Sequence, residues 1–200
     1  GLGDVYKRQF ISMTTTPKAV LRAQLLQSRR ARNPEQRAQD NKAWCAGVRA
    51  LLTPAMRVAA YHPLGTEPGG PELVDSIAAA CREVYLPISG TDGQLLWTLY
   101  DGPDSMRPGA LGIAEPVGKR HSSAVLAQLD LILAPAMAVS PAGVRLGKGA
   151  GYYDRALAPL TTGQPPVVAL VHSTEVREVP FEDHDRPVDG ILTELGMSWM

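Results

Sequence analysis

Gly143-Val-Arg-Leu-Gly-Lys-Gly-Ala-Gly-Tyr-Tyr-Asp-Arg155, preceded by the apolar run Leu129-Asp-Leu-Ile-Leu-Ala134, is the most informative part of this chain. The apolar run reads as a buried strand ending at Pro135, and a helix-like segment follows the glycines over 151–158. A strand leading through a Gly-rich loop into a helix belongs to an α/β sheet that is mainly parallel. Ligands of such sheets bind beyond the carboxyl ends of the strands, and this loop lies at that edge. Gly147, Gly149 and Gly151 permit positive φ and close approach of a ligand to bare backbone. Free N–H groups of such a loop and of the helix start attract anions. Arg145 and Lys148 add full positive charge, and Asp154 stands where a carboxylate could hold a divalent cation beside phosphates. The spacing is neither a Walker loop nor a Rossmann fingerprint. Read alone, the glycines could equally be a mobile turn with incidental charges.

Working outward, strands are predicted at Arg57–Tyr61, Glu83–Leu86, Leu95–Leu99, Leu129–Ala134, Pro166–His172 and Gly190–Thr193. Helices are predicted at 70–81, 121–128 and 151–158. A first helix begins near Pro17 with Thr16 as its cap, and Asn33-Pro34 is a second cap and first-turn pair. Trp44, Val48, Leu51 and Leu52 give that second helix an apolar face. Lys18, Arg22 and Arg29 fall within about 40° of one another on the first helix, a basic stripe that could be a solvated face. The expected architecture is a single-domain α/β three-layer fold over 13–200, with helices on both faces of the sheet. Residues 1–12 match nothing expected before the first helix and read as a non-native or disordered extension, with Met13 as the start.

Two hundred residues, 44% of them apolar, suit one soluble globular domain. A formal net charge of zero argues against bulk attraction to nucleic acid or membrane. No run is long and apolar enough for a membrane span, and no signal peptide is evident. Cys45 and Cys81 lack metal or redox spacing and read as reduced thiols. His62, His121, His172 and His184 show no ligand spacing. Charge is uneven, however: residues 1–57 carry eleven basic and three acidic groups, and 175–194 carry two basic and seven acidic. The two ends could form opposite walls of one anion-plus-metal site, or merely solvated faces.

Leu133-Ala-Pro-Ala-Met-Ala-Val-Ser-Pro-Ala-Gly-Val-Arg-Leu-Gly-Lys-Gly-Ala-Gly-Tyr-Tyr-Asp-Arg155 closely resembles the signature of 5-formyltetrahydrofolate cyclo-ligases. Lys18-Ala-Val-Leu-Arg22 resembles the family's amino-terminal Lys-x-x-x-Arg. Pro180-Phe-Glu-Asp-His-Asp-Arg-Pro-Val-Asp189 with Ile191-Leu-Thr-Glu194 resembles its carboxy-terminal block. The resemblance spans about residues 17–197 and implies an ATP- and Mg²⁺-dependent enzyme that cyclises 5-formyltetrahydrofolate to 5,10-methenyltetrahydrofolate. It implies a cytoplasmic monomer acting on a small molecule, polyglutamylated forms included.

The resemblance also assigns roles. Lys18, Arg22, Arg145 and Lys148 clamp phosphate, within a nucleotide site formed by Lys18, Arg22 and Arg145 through Tyr153. That site includes Leu146, Gly147, Gly149, Ala150, Gly151 and Tyr152. Arg145, Lys148 and Tyr152 take the catalytic positions, with Tyr152 orienting the formyl region. Asp154 and Asp189 hold Mg²⁺. Glu67, Trp97, Met106 and Tyr152 contact the folate, although Trp97 in a strand could be plain core. Tyr100, Met137 and Gly112-Ile-Ala-Glu-Pro116 fall where the family builds its folate pocket. Ala150 stands where relatives often carry Gly or Lys, which throws more of the charge onto Lys148. Two other classes stay open on the residues: a binding module without turnover, and an ATP-independent sugar-phosphate isomerase or acyl-CoA transferase relative.

Overall fold

The computed structural model describes residues 16–109, 112–183 and 185–200. The expected extension at 1–12, the start at Met13, and His184 lie outside the described residues. In chain order the elements are α1 (Pro17–Arg30), α2 (Pro34–Leu51), β1 (Arg57–Ala59), α3 (Leu73–Ala78), β2 (Glu83–Ser89), β3 (Leu95–Leu99), β4 (Met106–Pro108), β5 (Ala114–Pro116), β6 (Arg120–Ser122), β7 (Leu131–Pro135), β8 (Ala138–Val139), β9 (Arg145–Leu146), α4 (Tyr152–Leu157), β10 (Val167–Leu170), β11 (Gly190–Thr193) and β12 (Gly196–Trp199).

Both long helices start as their caps dictate. Thr16 accepts from the Ala19 amide, Asn33 accepts from the Glu35 and Gln36 amides, and a proline opens each first turn. Eight strands form the main sheet in the order β12-β11-β10-β7-β1-β2-β3-β6. The five from β11 to β2 run parallel, and antiparallel strands close both edges. Period-two alternation sorts their side chains onto two faces. Ala59, Ile132, Ala134, Val167 and Ala169 pack with Trp97 and with Ala156 and Leu157 of α4. Val58, Leu131, Leu133, Val168 and Leu170 pack with Trp44 and Val48 of α2 and Leu73 and Ile77 of α3. This is the expected three-layer sandwich.

From β1 the chain moves to one side through α3 into β2, and later returns to the other side as β7. The crevice above the β1–β7 boundary is therefore a topological switch point, where α/β sheets bind ligands. Helix α1 lies at this edge. Its Leu21 and Leu25 pack on Met137, Ala138, Val144, Leu146 and Val179.

The predicted helix over 121–128 is not an α-helix. Residues 120–122 pair with β3, His121 opposite Trp97, and only a 3₁₀ segment follows at Ser123–Gln128. Ser123 is the cause: its hydroxyl accepts from the Trp97 indole and donates to the Leu95 carbonyl, drawing the backbone toward the strand. The helix expected over 70–81 shortens to α3, because Gly69 and Gly70 both take positive φ just before it. The basic stripe on α1 is not a free solvated face, since Arg29 is buried, Arg22 donates to the glycine loop and Lys18 pairs with Glu182 and Asp185. Among the described residues, no helix is long and apolar enough to cross a membrane.

His172, just beyond β10, sits edge-on to the Trp44 ring and 3.9 Å from Asp40. Burial, then the nearby Arg32 and Arg29, push its imidazole down to about 3 from the ordinary 6.5. The unfolded chain therefore binds the proton first. The stability contributed by neutral His172 is complete above pH 6.5 and is lost as pH falls toward 3. Urea unfolding across this window should show a falling midpoint, and His172→Phe should flatten that dependence. An equal slope in the variant would assign the acid sensitivity to other groups.

Candidate functional site

The glycine loop is set by a hairpin the sequence reading missed. Strands β8 and β9 pair directly after β7, Ala138 opposite Leu146 and Val139 opposite Arg145. This buries Arg145 at the sheet edge. Its Nη1 donates to the Pro135 carbonyl at 3.0 Å and its Nη2 to Asp154 Oδ1 at 2.7 Å. Gly149 takes φ +108° and Gly151 φ +72°, the left-handed region where a side chain is strained. Gly151 is the N-cap of α4, so the turn that starts this helix is the one that brings Asp154 under Arg145. Arg22 of α1 reaches across and donates from Nε to the Gly147 carbonyl at 2.7 Å.

Two cavities meet at this loop. One is largely apolar, about 260 Å³, and opens above the β1–β7 switch point. Tyr61 and His62 after β1, Leu86 and Pro87 of β2, Ile113 and Glu115 near β5, and Glu67, Tyr152 and Tyr153 line it. The other, about 390 Å³, is polar and lies between α1, the glycine loop and the carboxy-terminal segment. Lys18, Arg22, Gly149, Phe181, Glu182 and Asp185 line it. Arg145, Gly147, Gly151 and Asp154 belong to both walls.

Cations here face carboxylates. Lys18 Nζ lies 3.0 Å from Glu182 and 3.1 Å from Asp185. Burial pulls the Lys18 ammonium down, but the two carboxylates outweigh it and its pKa rises. Lys148 Nζ is 2.6 Å from Glu67 Oε1, with Lys148 56% and Glu67 8% exposed. The other Glu67 oxygen accepts from the Leu64 amide at 2.8 Å. The Tyr153 ring packs against Trp97 on one side and lies 5.6 Å below the Arg145 guanidinium. Burial, then the Glu67 charge, push the Tyr153 phenol well above its ordinary value, so it remains a neutral donor. Its buried hydroxyl has no hydrogen-bond partner among the described residues. The Tyr152 ring lies under the Arg155 guanidinium at 5.3 Å.

The structure thus gathers Lys18, Arg22, Glu67, Arg145, the loop over 146–151, Tyr152, Tyr153 and Asp154 around one double cleft. Several expectations change. Trp97 is fully buried beneath Tyr153, because its indole is anchored to Ser123, and it supports the cleft without lining it. Met106 packs into the opposite hydrophobic layer with Tyr100. Lys148 points to Glu67 and the apolar cavity instead of joining Lys18 and Arg22 in the polar one. Tyr153 likewise belongs to the apolar cavity.

Asp189 does not partner Asp154. Its carboxylate accepts from the Val167 amide at 2.8 Å, at the start of β10, whereas the Arg145–Asp154 pair hangs from Pro135, opposite the last residue of β10. Three strand steps, on the order of 10 Å, separate those levels. Ligands of one Mg²⁺ each sit about 2.1 Å from the ion, so we propose that Asp189 serves the strand amide and not the metal. The acids in the polar cavity with Asp154 are Glu182 and Asp185, from the acidic carboxy-terminal stretch. Tyr61 and His62 join the apolar cavity from the carboxyl end of the first parallel strand, the edge where such sheets bind ligands.

Fold and site together define an α/β enzyme with a paired apolar and charged cleft at its switch point. The 5-formyltetrahydrofolate cyclo-ligase family model matches residues 14–194, and the chain belongs to that family. A 5-formyltetrahydrofolate cyclo-ligase of Mycolicibacterium smegmatis is 34% identical over 90% of this chain and 95% of its own. The Escherichia coli K12 protein of the same name is 30% identical over 84% and 94%. Among solved structures, the Aquifex aeolicus 5,10-methenyltetrahydrofolate synthetase is 28% identical, with a TM-score of 0.76 over 92% of this chain and 93% of that one.

If Asp189 is a structural acceptor, Asp189→Ala should lower the unfolding free energy by about 2 kcal/mol, as a buried amide loses its charged partner. Magnesium titration followed by calorimetry should be unchanged in that variant. Weakened Mg²⁺ binding in a folded Asp189→Ala protein would restore it to the metal site.

Proposed function

We propose that the chain is an ATP-dependent cyclo-ligase that converts 5-formyltetrahydrofolate to 5,10-methenyltetrahydrofolate, with ADP and phosphate as the other products. One observation carries this reading: the apolar and polar cavities share Arg145, Gly147, Gly151 and Asp154. A flat heteroaromatic substrate suits the first cavity and a polyphosphate the second, so their reacting ends meet at that wall.

The chemistry requires little covalent help from the protein. The formyl oxygen at N5 is a poor leaving group. It takes the γ-phosphoryl group, the bond from phosphorus to the ADP oxygen breaks, and the oxygen becomes part of a phosphate ester. The folate's own N10 then attacks the formyl carbon, inorganic phosphate departs with that oxygen, and N10 loses its proton. Attack within one bound molecule depends chiefly on positioning. Tyr152 and Tyr153 would hold the folate, with the Tyr153 hydroxyl available as a neutral donor. Lys18, Arg22 and Arg145 would neutralise the transferring group, and the backbone over 147–151 would cradle it.

The residues fit Mg²⁺ held jointly with phosphate oxygens. Asp154 is 38% exposed on the shared wall. Among the described residues, no group of three His, Cys, Asp or Glu could hold a metal by itself. One or two carboxylates plus phosphates is the usual Mg²⁺ donor set, with Glu182 and Asp185 at the same cavity. The ion would offset phosphate charge. Lys148 is better read as a folate-side group that relieves Glu67 than as a phosphate clamp.

Mixing the protein with 5-formyltetrahydrofolate and Mg²⁺, and following near-ultraviolet absorbance of the methenyl product, tests the proposal. A rise only with ATP is expected. Folded protein that gives no rise would sink the enzymatic reading, and a rise without ATP would sink the phosphorylation step. Asp154→Asn should cut turnover about a hundredfold, the scale of losing one electrostatic group at such a centre, and should lower the thermal midpoint modestly, since buried Arg145 keeps an acceptor but loses its charge partner. A variant that unfolds instead would make Asp154 structural. Arg145→Ala should raise the ATP concentration needed for half-maximal rate.

A further inference from the structure

The ion pair between Arg29 and Glu175 lies outside both cavities, and nothing in the chemistry above uses it. Arg29 is 2% and Glu175 3% exposed. Arg29 Nε and Nη2 donate to the two Glu175 oxygens at 2.7 and 2.8 Å, and Nη2 also donates to the Ala136 carbonyl at 2.7 Å. Glu175 accepts in turn from the His172 amide at 2.9 Å. Desolvating two charges is costly, and a well-packed apolar pair in such a place is often as stable. What a bidentate fork adds is direction.

The element it directs is α1. At 1.5 Å per residue, Arg29 stands about 10 Å along the helix from Arg22. Leu21 and Leu25 seat the helix on apolar side chains, a contact that is not directional and tolerates sliding. Arg29 removes that freedom. Ala136, whose carbonyl it holds, directly follows Pro135, whose carbonyl holds Arg145. One guanidinium thereby fixes the helix bearing Arg22 to the strand end bearing Arg145.

We infer that Arg29 is a positioning residue: locked by Glu175 and Ala136, it sets the register of α1 so that Arg22 meets the glycine loop where phosphate binds. This rests on reading the polar cavity as the ATP-phosphate site. The test is a thermodynamic cycle in ATP affinity, measured by calorimetry with Mg²⁺ on the unaltered chain, Arg29→Lys, Arg22→Ala and the double variant, with folding checked by circular dichroism. Lysine keeps the charge and loses the fork. Arg29→Lys should weaken ATP about tenfold, the effect of one misaligned charge-assisted hydrogen bond. In the Arg22→Ala background the same change should have an effect of twofold or less, because the group it aims is gone.

Unchanged affinity in Arg29→Lys, or losses that simply multiply, would overturn the inference and leave the pair a structural one. A folded, unaltered chain that binds no ATP would overturn the phosphate-site reading and this inference with it. Should Arg29→Lys fail to fold, Glu175→Gln completes the same cycle with the same expectations.

Discussion

Arg145 is the group on which the site's geometry depends. Its guanidinium hangs from the last residue of β7, grips Asp154 on α4 and covers the Tyr153 ring. Strand, glycine loop and helix are thus fixed to one another at the wall between two cavities of opposite character. The hairpin of β8 and β9 makes this possible, because it returns the chain to the strand end it has just left. Buried arginine is expensive without partners. Here the partners are the very elements the site has to align.

Around that centre, three long cations of the cleft are opposed by carboxylates, Lys18 by Glu182 and Asp185, Arg145 by Asp154 and Lys148 by Glu67, while Arg22 donates to the Gly147 carbonyl. The pairing lets a dense cluster of charges of both signs exist within a folded edge. A polyphosphate entering the polar cavity, as proposed, would exchange for the Lys18 and Arg145 contacts there. The basic beginning and acidic end of the chain are in contact through Lys18.

Much of the fold was legible because strong local signals agreed. The caps at Thr16 and Asn33, the apolar run ending at Pro135 and the alternating strands all led to a parallel sheet with its loop at the carboxyl edge. What escaped were elements defined by distant partners. Strands β4, β5, β6, β8, β9 and β12 are two to four residues long, and pairing across the chain specifies them more than their own pattern does. The site divided in the same way. The loop over 143–155 carries its chemistry locally, and the structure gathers it with Lys18, Arg22 and Glu67. Asp189 and Trp97 could not be placed by residue type. A carboxylate that satisfies a strand amide and an indole tied to a serine look, in sequence, like a metal ligand and a stacking ring. Arg29 posed the inverse problem, since a charge on a basic helical stripe gives no sign that Glu175, 146 residues away, will bury it.

The central claim is that the formyl oxygen is phosphorylated at the wall shared by the two cavities and leaves as phosphate. The most direct measurement is a single-turnover reaction with 5-formyltetrahydrofolate labelled by ¹⁸O in the formyl group, with mass analysis of the inorganic phosphate released. The account predicts one labelled oxygen in each phosphate for each methenyl product formed. Unlabelled phosphate, with the heavy oxygen recovered in water, would contradict it.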